Sequence, residues 1–220
     1  MPKGKPIVGC KWVFTPKFKS DGTLERYKAR LVAKGFTQTF GIDYTETFAP
    51  VAKLNTVRIL LSIAVNLDWT LRQFDVKNAF LNGKLEEEVY MQPPPGFEDK
   101  FNSKVCKLEK ALYGLKQSPR AWFERFTQFV KGQGYCQAQS DHTLFTKFSR
   151  EGKIAILIVY VDNIILTGDH HEELEILKKK MAREFEVKDL GELRYFLGME
   201  IARSKQGIVV SQRKYVLGRS

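Results

Sequence analysis

The chain has 220 residues, 43% of them hydrophobic and 28% charged, with a formal net charge of +11; that length suits one domain or two interleaved lobes, and the composition excludes a disordered or fibrous protein. The longest strongly apolar run, Ile154 to Val161, falls far short of the about 20 residues a bilayer requires, so no membrane partner is expected. Three cysteines, Cys10, Cys106 and Cys136, with no CxxC spacing argue against structural zinc and a disulfide framework.

In chain order, Met1-Pro2-Lys3-Gly4-Lys5-Pro6 is polar and broken by prolines. No secretion signal is expected, and the protein reads as intracellular. Residues 1–50 carry nine Lys/Arg against four Asp/Glu. Within them Lys11 to Lys19 and Leu24 to Ala33 are β-prone runs around Ser20-Asp21-Gly22, a hairpin signal, with Pro16 at a sheet edge. From Asn55 or Thr56 to about Asn66 the pattern predicts a helix with Val57, Leu60, Leu61 and Ala64 on one face. Leu71 to Phe74 reads as a short strand ending at Asp75. Gln92-Pro93-Pro94-Pro95-Gly96 must be a loop. Ser118-Pro119 predicts an N-cap and first turn for a helix burying Trp122, Phe126 and Phe129 and stopping at Gly132 and Gly134.

Ile154 to Tyr160 and Ile164 to Leu166 read as two strands joined by a tight Asp162-Asn163 turn. A helix capped by Asp169 should follow, with Glu172, Glu173 and Glu175 early, Lys178, Lys179, Lys180 and Arg183 late, and a stripe of Leu174, Leu177, Met181 and Phe185. Phe196 to Ile201 and Ile208 to Ser211 form a second expected hairpin around Lys205-Gln206-Gly207. Residues 201–220 hold five basic and no acidic residues, so both ends are basic around a near-neutral middle. That distribution suits two regions facing a polyanion, or a merely basic surface. Helices on a largely antiparallel sheet make the expected fold class α+β.

Two acids occupy awkward places. Asp75 ends an apolar strand, and Asp162 sits at the tip of the most hydrophobic hairpin. Either alone is an ordinary turn residue. If the strands are neighbours, two carboxylates meet over an apolar floor, an arrangement that repels itself unless a divalent cation lies between them.

The blocks Lys11-Trp12-Val13-Phe14, Glu25 to Phe36, Gly41-Ile42-Asp43-Tyr44 to Phe48-Ala49-Pro50-Val51 and Phe74 to Gly83 stand in sequence with Leu112 to Trp122, Tyr160-Val161-Asp162-Asn163, Phe196 to Glu200 and Ser211 to Tyr215. Together, in this order, they resemble copia-type LTR-retrotransposon reverse transcriptase. The resemblance implies a right-hand polymerase: an antiparallel palm sheet backed by helices, plus fingers. Fingers are expected at about 7–50 and 83–112, the palm at about 51–82 and 113–211, and the truncated start of a thumb at 212–220. It also implies RNA-templated DNA synthesis with two Mg²⁺ ions, deoxynucleoside triphosphates and a template-primer of RNA or DNA. Further Pol regions would act in trans, within a cytoplasmic virus-like particle.

By the same resemblance Asp75 and Asp162 are the metal-bridging pair, with the Val76 carbonyl as a further ligand. Phe80 matches the side chain that blocks a ribose 2′-hydroxyl, although core packing explains it equally well. Arg30, Lys28 and Lys34 match the basic strand that clamps the triphosphate, although an exposed hairpin carries such charge for solubility too. Tyr113-Gly114 matches the segment under the nascent base pair. Leu197-Gly198-Met199 matches the hairpin gripping the primer end, or is an ordinary turn.

One departure bears on activity. The family motif is Tyr-x-Asp-Asp, whereas this chain has Asn163 at the last place. Asn fits a tight turn as well as Asp does, so stability should not register the change, but one anion beside two dications is lost. The match also stops near Tyr215-Val216-Leu217, before a thumb, integrase or ribonuclease H region. A truncated, weakly active or inactive relic is therefore expected, or a non-catalytic nucleic-acid-binding remnant. A four-stranded RNA-binding module is a poorer fit, because Lys34-Gly35-Phe36-Thr37-Gln38 departs from its motif at the fourth and fifth places.

Overall fold

The computed structural model describes residues 5–19, 21–102, 104–204 and 207–212. The strands are β1 (Ile7–Val8), β2 (Cys10–Phe18), β3 (Leu24–Ala33), β4 (Arg72–Val76), β5 (Lys84–Met91), β6 (Cys106–Lys110) and β7 (Cys136–Gln137). They continue as β8 (Leu144–Phe148), β9 (Ile154–Tyr160), β10 (Asn163–Gly168), β11 (Val187–Glu192), β12 (Tyr195–Phe196), β13 (Met199–Ser204) and β14 (Gly207–Ser211). The helices are α1 (Leu54–Asn66), α2 (Ser118–Gly132) and α3 (His171–Glu184).

The contacts divide the chain into two units, Met1–Ala49 with Ala79–Phe126 and Pro50–Asn78 with Thr127–Ser220. In the first, β2 and β3 pair as a two-stranded ribbon, while β5 lies between a parallel β1 and an antiparallel β6. Its core gathers Val8, Cys10, Ala33, Val89, Met91 and Leu115.

The second unit is a six-stranded antiparallel sheet in the order β11-β4-β10-β9-β8-β7, with a smaller β12-β13-β14 sheet. Strands β9 and β10 are buried along nearly their whole length. Apolar side chains on both faces are what let a strand sit centrally in a covered sheet. Helix α1 buries Val57, Leu60, Leu61 and Ala64, the 3–4 spacing that lines one side of a helix. They pack with Leu71, Ile158, Ile165 and Phe196. This mixed α/β architecture carries the expected helices and hairpins.

Several local expectations are corrected. Tyr160 pairs with Asn163, so the tight turn is Val161-Asp162, and Asn163 is the first residue of β10 rather than part of the turn. Val161 takes φ +55°, a costly conformation for a β-branched residue. Asp169 does not cap α3: its Oδ1 accepts the Ile154 N–H at 2.6 Å, and His170 is the cap residue. Glu173, one of the early acids of α3, is buried and pairs with Lys147 at 2.8 Å.

Ser118 is the first residue of α2, and its hydroxyl donates to the Leu112 carbonyl at 2.7 Å instead of capping. The run Phe196 to Ile201 is not one strand. Leu197 and Gly198, with φ of +52° and +76°, turn the chain between β12 and β13. Ser20 of the first hairpin, Lys205-Gln206 of the last and residues 213–220, most of the expected thumb start, lie outside the described residues.

Candidate active site

In the second unit β10 lies between β4 and β9, and Asn163 stands opposite both Asp75 and Tyr160. The Val76 N–H donates to the Asp162 carbonyl at 2.8 Å. The end of β4 is thereby tied to the β9–β10 turn, and Asp75, Val76, Asp162 and Asn163 come together. Around them Phe74, Val76, Ile164 and Ile165 are all at most 1% exposed, on both faces of the sheet.

A chain of hydrogen bonds organises this end of the sheet. Gln73 Nε2 donates to Asn163 Oδ1 at 3.1 Å and to the Tyr195 carbonyl at 2.9 Å. Asn163 Nδ2 donates to Asp162 Oδ1 at 3.0 Å. Asn163 therefore holds the Asp162 carboxylate with a donor that an aspartate would lack. Its own side-chain oxygen is already engaged by Gln73. The expectation that Asn and Asp are interchangeable here rested on turn preference, whereas Asn163 lies in β10 and acts through its side chain.

On the far side of β4, Lys188 of β11 stands opposite Asp75, which brings a cation to the same face of the sheet. Next to it, Asp189 receives Arg72 and Lys178, each at 2.8 Å. Partial burial pushes the Asp189 carboxyl up, but Lys178, the Gly191 N–H and Arg72 outweigh that and hold it at about 2.

Leu197, Gly198 and Met199 form the β12–β13 turn and the start of β13. A cleft of about 540 Å³ lies beside them, lined by Gln73, Tyr160, Asn163, Arg194, Leu197 and Gly198 among others. The turn at Leu197-Gly198 thus borders the same cleft as Tyr160 and Asn163, the residues flanking the Val161-Asp162 turn. Among the described residues no group of three or more His, Cys, Asp or Glu side chains converges as a metal cage.

The expected nucleotide-binding residues are in the first unit. The Arg30 guanidinium lies 5.8 Å from the Tyr113 ring centroid, and the Phe80 ring packs on Tyr113 at a tilt of 57°, centroids 4.9 Å apart. The Ala33 N–H donates to the Tyr113 carbonyl at 2.7 Å, fastening this segment to the end of β3. Gly114, at φ +91°, crosses so closely that a Cβ would stand 2.1 Å from the Ala33 carbonyl oxygen. Only glycine has both the freedom and the room. Arg30 and Lys28 share one face of the ribbon with Arg26 and Lys17. Lys34, by contrast, lays its methylenes over Gly9 and is half-buried. The structure therefore brings Arg30, Tyr113, Gly114 and Phe80 together, with Lys28 along the strand and Lys34 at its base.

Sequence reasoning passed over Gln73, Lys188 and the buried pair Gln38–Gln117. Gln38 Nε2 donates to Gln117 Oε1 at 3.0 Å, and its own Oε1 accepts the Lys116 N–H at 2.9 Å. A glutamine inside an apolar strand such as Leu71-Arg72-Gln73-Phe74 is the one local sign that could have singled out Gln73.

Comparison with known proteins gives the family. The family described as "Reverse transcriptase (RNA-dependent DNA polymerase)" matches residues 1–218. The chain is 49% identical over 217 residues to the retrovirus-related Pol polyprotein from transposon RE1 of Arabidopsis thaliana, covering 98% of this chain and 15% of that protein. It is 46% identical over 219 residues to the corresponding polyprotein from transposon TNT 1-94 of Nicotiana tabacum, covering 98% and 16%. A Ty1-GR3 Gag-Pol polyprotein of Saccharomyces cerevisiae is 30% identical over 209 residues, covering 90% and 11%. The chain spans about one-seventh of the length of the plant relatives. No helix among the described residues is long and apolar enough to cross a membrane. On the match over nearly its whole length, the chain belongs to the reverse transcriptase family, among sequences of the copia-type Pol polyproteins.

Proposed function

We propose that the chain is the RNA-directed DNA polymerase domain of a copia-type Pol polyprotein, extending a primer on an RNA or DNA template with deoxynucleoside triphosphates. Residues of about 7–50 and 83–112 serve as fingers, and those of about 51–82 and 113–211 as palm. The observation that carries this reading is the junction of Asp75 and Asp162 through the Val76 N–H to Asp162 carbonyl bond of 2.8 Å. Carboxylate and carbonyl oxygens are the hard donors that Mg²⁺ prefers. Asp75, Asp162 and the Val76 carbonyl would hold the two ions, which when bound activate the attacking oxygen and steady the leaving group.

The rest is positioning by the chain itself. Arg30 and Lys28, on one face of the ribbon, meet the triphosphate, and Lys34 adds charge at the base of the strand. Phe80, braced on Tyr113, closes the edge where a ribose 2′-hydroxyl would sit. Leu197, Gly198 and Met199 hold the primer end beside Asp162. Asn163 weakens the metal pair by supplying one anion fewer. Other Pol regions act with this domain inside the cell.

A second reading, a non-catalytic template-primer binder, is favoured by one observation. Asn163 already spends its oxygen on Gln73 and its amide on Asp162, so its side chain is engaged at both ends within the protein. Both readings require nucleic-acid binding. Titration of a labelled template-primer should give log affinity falling linearly with log salt, with little dependence on sequence. Affinity indifferent to salt, or no binding at low salt, would remove both.

A further inference from the structure

The β2–β3 ribbon separates its chemistry by face. Its register pairs Phe14 with Ala29, Pro16 with Tyr27 and, past a bulge, Phe18 with Leu24. The alternate pairs are Val13 with Arg30, Thr15 with Lys28 and Lys17 with Arg26. One face is apolar and the other carries the cations. The apolar face lies open: Phe14 is 68% exposed, Phe18 61%, Tyr27 70% and Leu24 45%. At its base Trp12 donates to the Pro95 carbonyl at 3.0 Å and stands 6.4 Å from the ring of Phe97, so the patch continues off the ribbon.

A two-stranded ribbon is marginal in water by itself, and an exposed apolar patch of several hundred Å² marks a contact surface. We propose that this face docks a second copy of the chain, the two ribbons packing apolar face to apolar face about a twofold axis. The proposal goes beyond the polymerase reading and stands on the ribbon alone.

Charge placement favours this occupant. The chain carries +11 and repels its copies, yet Lys17, Arg26, Lys28 and Arg30 all lie on the opposite face. With two sheets packed about 10 Å apart, the cations of each copy point away from the joint, well beyond a Debye length of about 8 Å from one another. Area fits as well. Aromatic side chains that each bury about 150–250 Å² and are about two-thirds exposed here, with Leu24, supply roughly 500 Å² per copy. The joint total of about 1,000 Å² reaches the lower bound of a specific interface. A single-stranded nucleic acid is the poorer occupant. Stacking platforms set cations beside the aromatics so that one strand reaches both, and here a ribbon's thickness separates them.

The test is sedimentation of the 220-residue chain, without nucleic acid, across a concentration series. A monomer–dimer equilibrium that high salt does not weaken is expected. Phe14→Ser with Tyr27→Ser should raise the dimer dissociation constant about tenfold or more. Its circular dichroism should be unchanged, because both side chains are exposed in the single chain. Lys17→Glu with Arg26→Glu, on the other face, should leave dimerisation intact. A monomer throughout the series overturns the proposal, as does a dimer indifferent to the Phe14 and Tyr27 changes. A monomer whose affinity for a single-stranded oligonucleotide falls in the Phe14 and Tyr27 variant overturns it in favour of a base-stacking surface. Because dimerisation is read without template-primer, its failure leaves the polymerase reading untouched.

Discussion

Restoring the family carboxylate, Asn163→Asp, should make the metal-free protein less stable, not equally stable. The Asn163 amide donates to Asp162 Oδ1 at 3.0 Å, and the substitution puts a carboxylate oxygen where that donor was. Two unit charges at 3 Å repel by about 5 kcal/mol gross at an effective dielectric of 20. Both side chains are half-buried and near solvent, and Gln73 can still donate to the new carboxylate. Rotation and hydration should cut the net cost to about 1–2 kcal/mol, a typical value for losing one polar contact. In a chain of this size that lowers the melting temperature by about 2–8 °C. A dication between the carboxylates reverses the sign: at tenfold excess over its dissociation constant it returns about 1.4 kcal/mol. Thermal melts of both proteins, with Mg²⁺ and with NaCl matched for ionic strength, measure the difference. Mg²⁺ should raise the melting point of Asn163→Asp by several degrees and that of the parent hardly at all. Equal melting points without metal, or equal responses to Mg²⁺, would refute the electrostatic reasoning.

Two further outcomes follow from the same geometry. In the Asn163→Asp background, Phe80→Val should admit ribonucleotides, because the ring braced on Tyr113 at 4.9 Å is removed; unchanged discrimination in a nucleotide-competition assay would leave Phe80 a packing residue only. Asp189 is held at about 2 in the fold against an ordinary 3.8. A depressed carboxyl stabilises the fold above the unfolded value and loses that contribution as pH falls from about 4 to about 2. The shift sets a ceiling of about 2 kcal/mol, which screening at a side chain one-third exposed reduces to about 1. Asp189→Asn should therefore be less stable at neutral pH, with the gap to the parent closing in that acid window, as acid and urea titrations can show.

Elements whose periodicity was strong were legible from residues alone. Val57, Leu60, Leu61 and Ala64 mark the buried stripe of α1, and the apolar runs of β9 and β10 mark the central strands. The turns were harder where the backbone overrides local preference. Asp-Asn is a strong turn signal, yet the turn falls one residue earlier because Val161 accepts φ +55°. Leu197 at φ +52° breaks an apolar run in the same way. Strand β11, Val187-Lys188-Asp189-Leu190-Gly191-Glu192, has no apolar alternation. It joins the sheet through β4, over 100 residues away, with Asp189 bound to Arg72. At the site, Asp75 and Asp162 stood out as acids among apolar residues. Gln73 did not, since its meaning lies in a bond to a residue 90 positions on. The charge of β3 was plain, whereas the apolar face behind it emerges only once the register with β2 is known.

Single-nucleotide extension of a template-primer, at high protein concentration with Mg²⁺ and a deoxynucleoside triphosphate, tests the central claim most directly. Each 1.4 kcal/mol of barrier is about tenfold in rate. The parent should add a nucleotide at least about tenfold more slowly than Asn163→Asp, and Asp75→Asn or Asp162→Asn in that background should abolish addition. A parent as fast as its Asn163→Asp variant, or addition that survives the loss of Asp75 or Asp162, would contradict the assignment of this site.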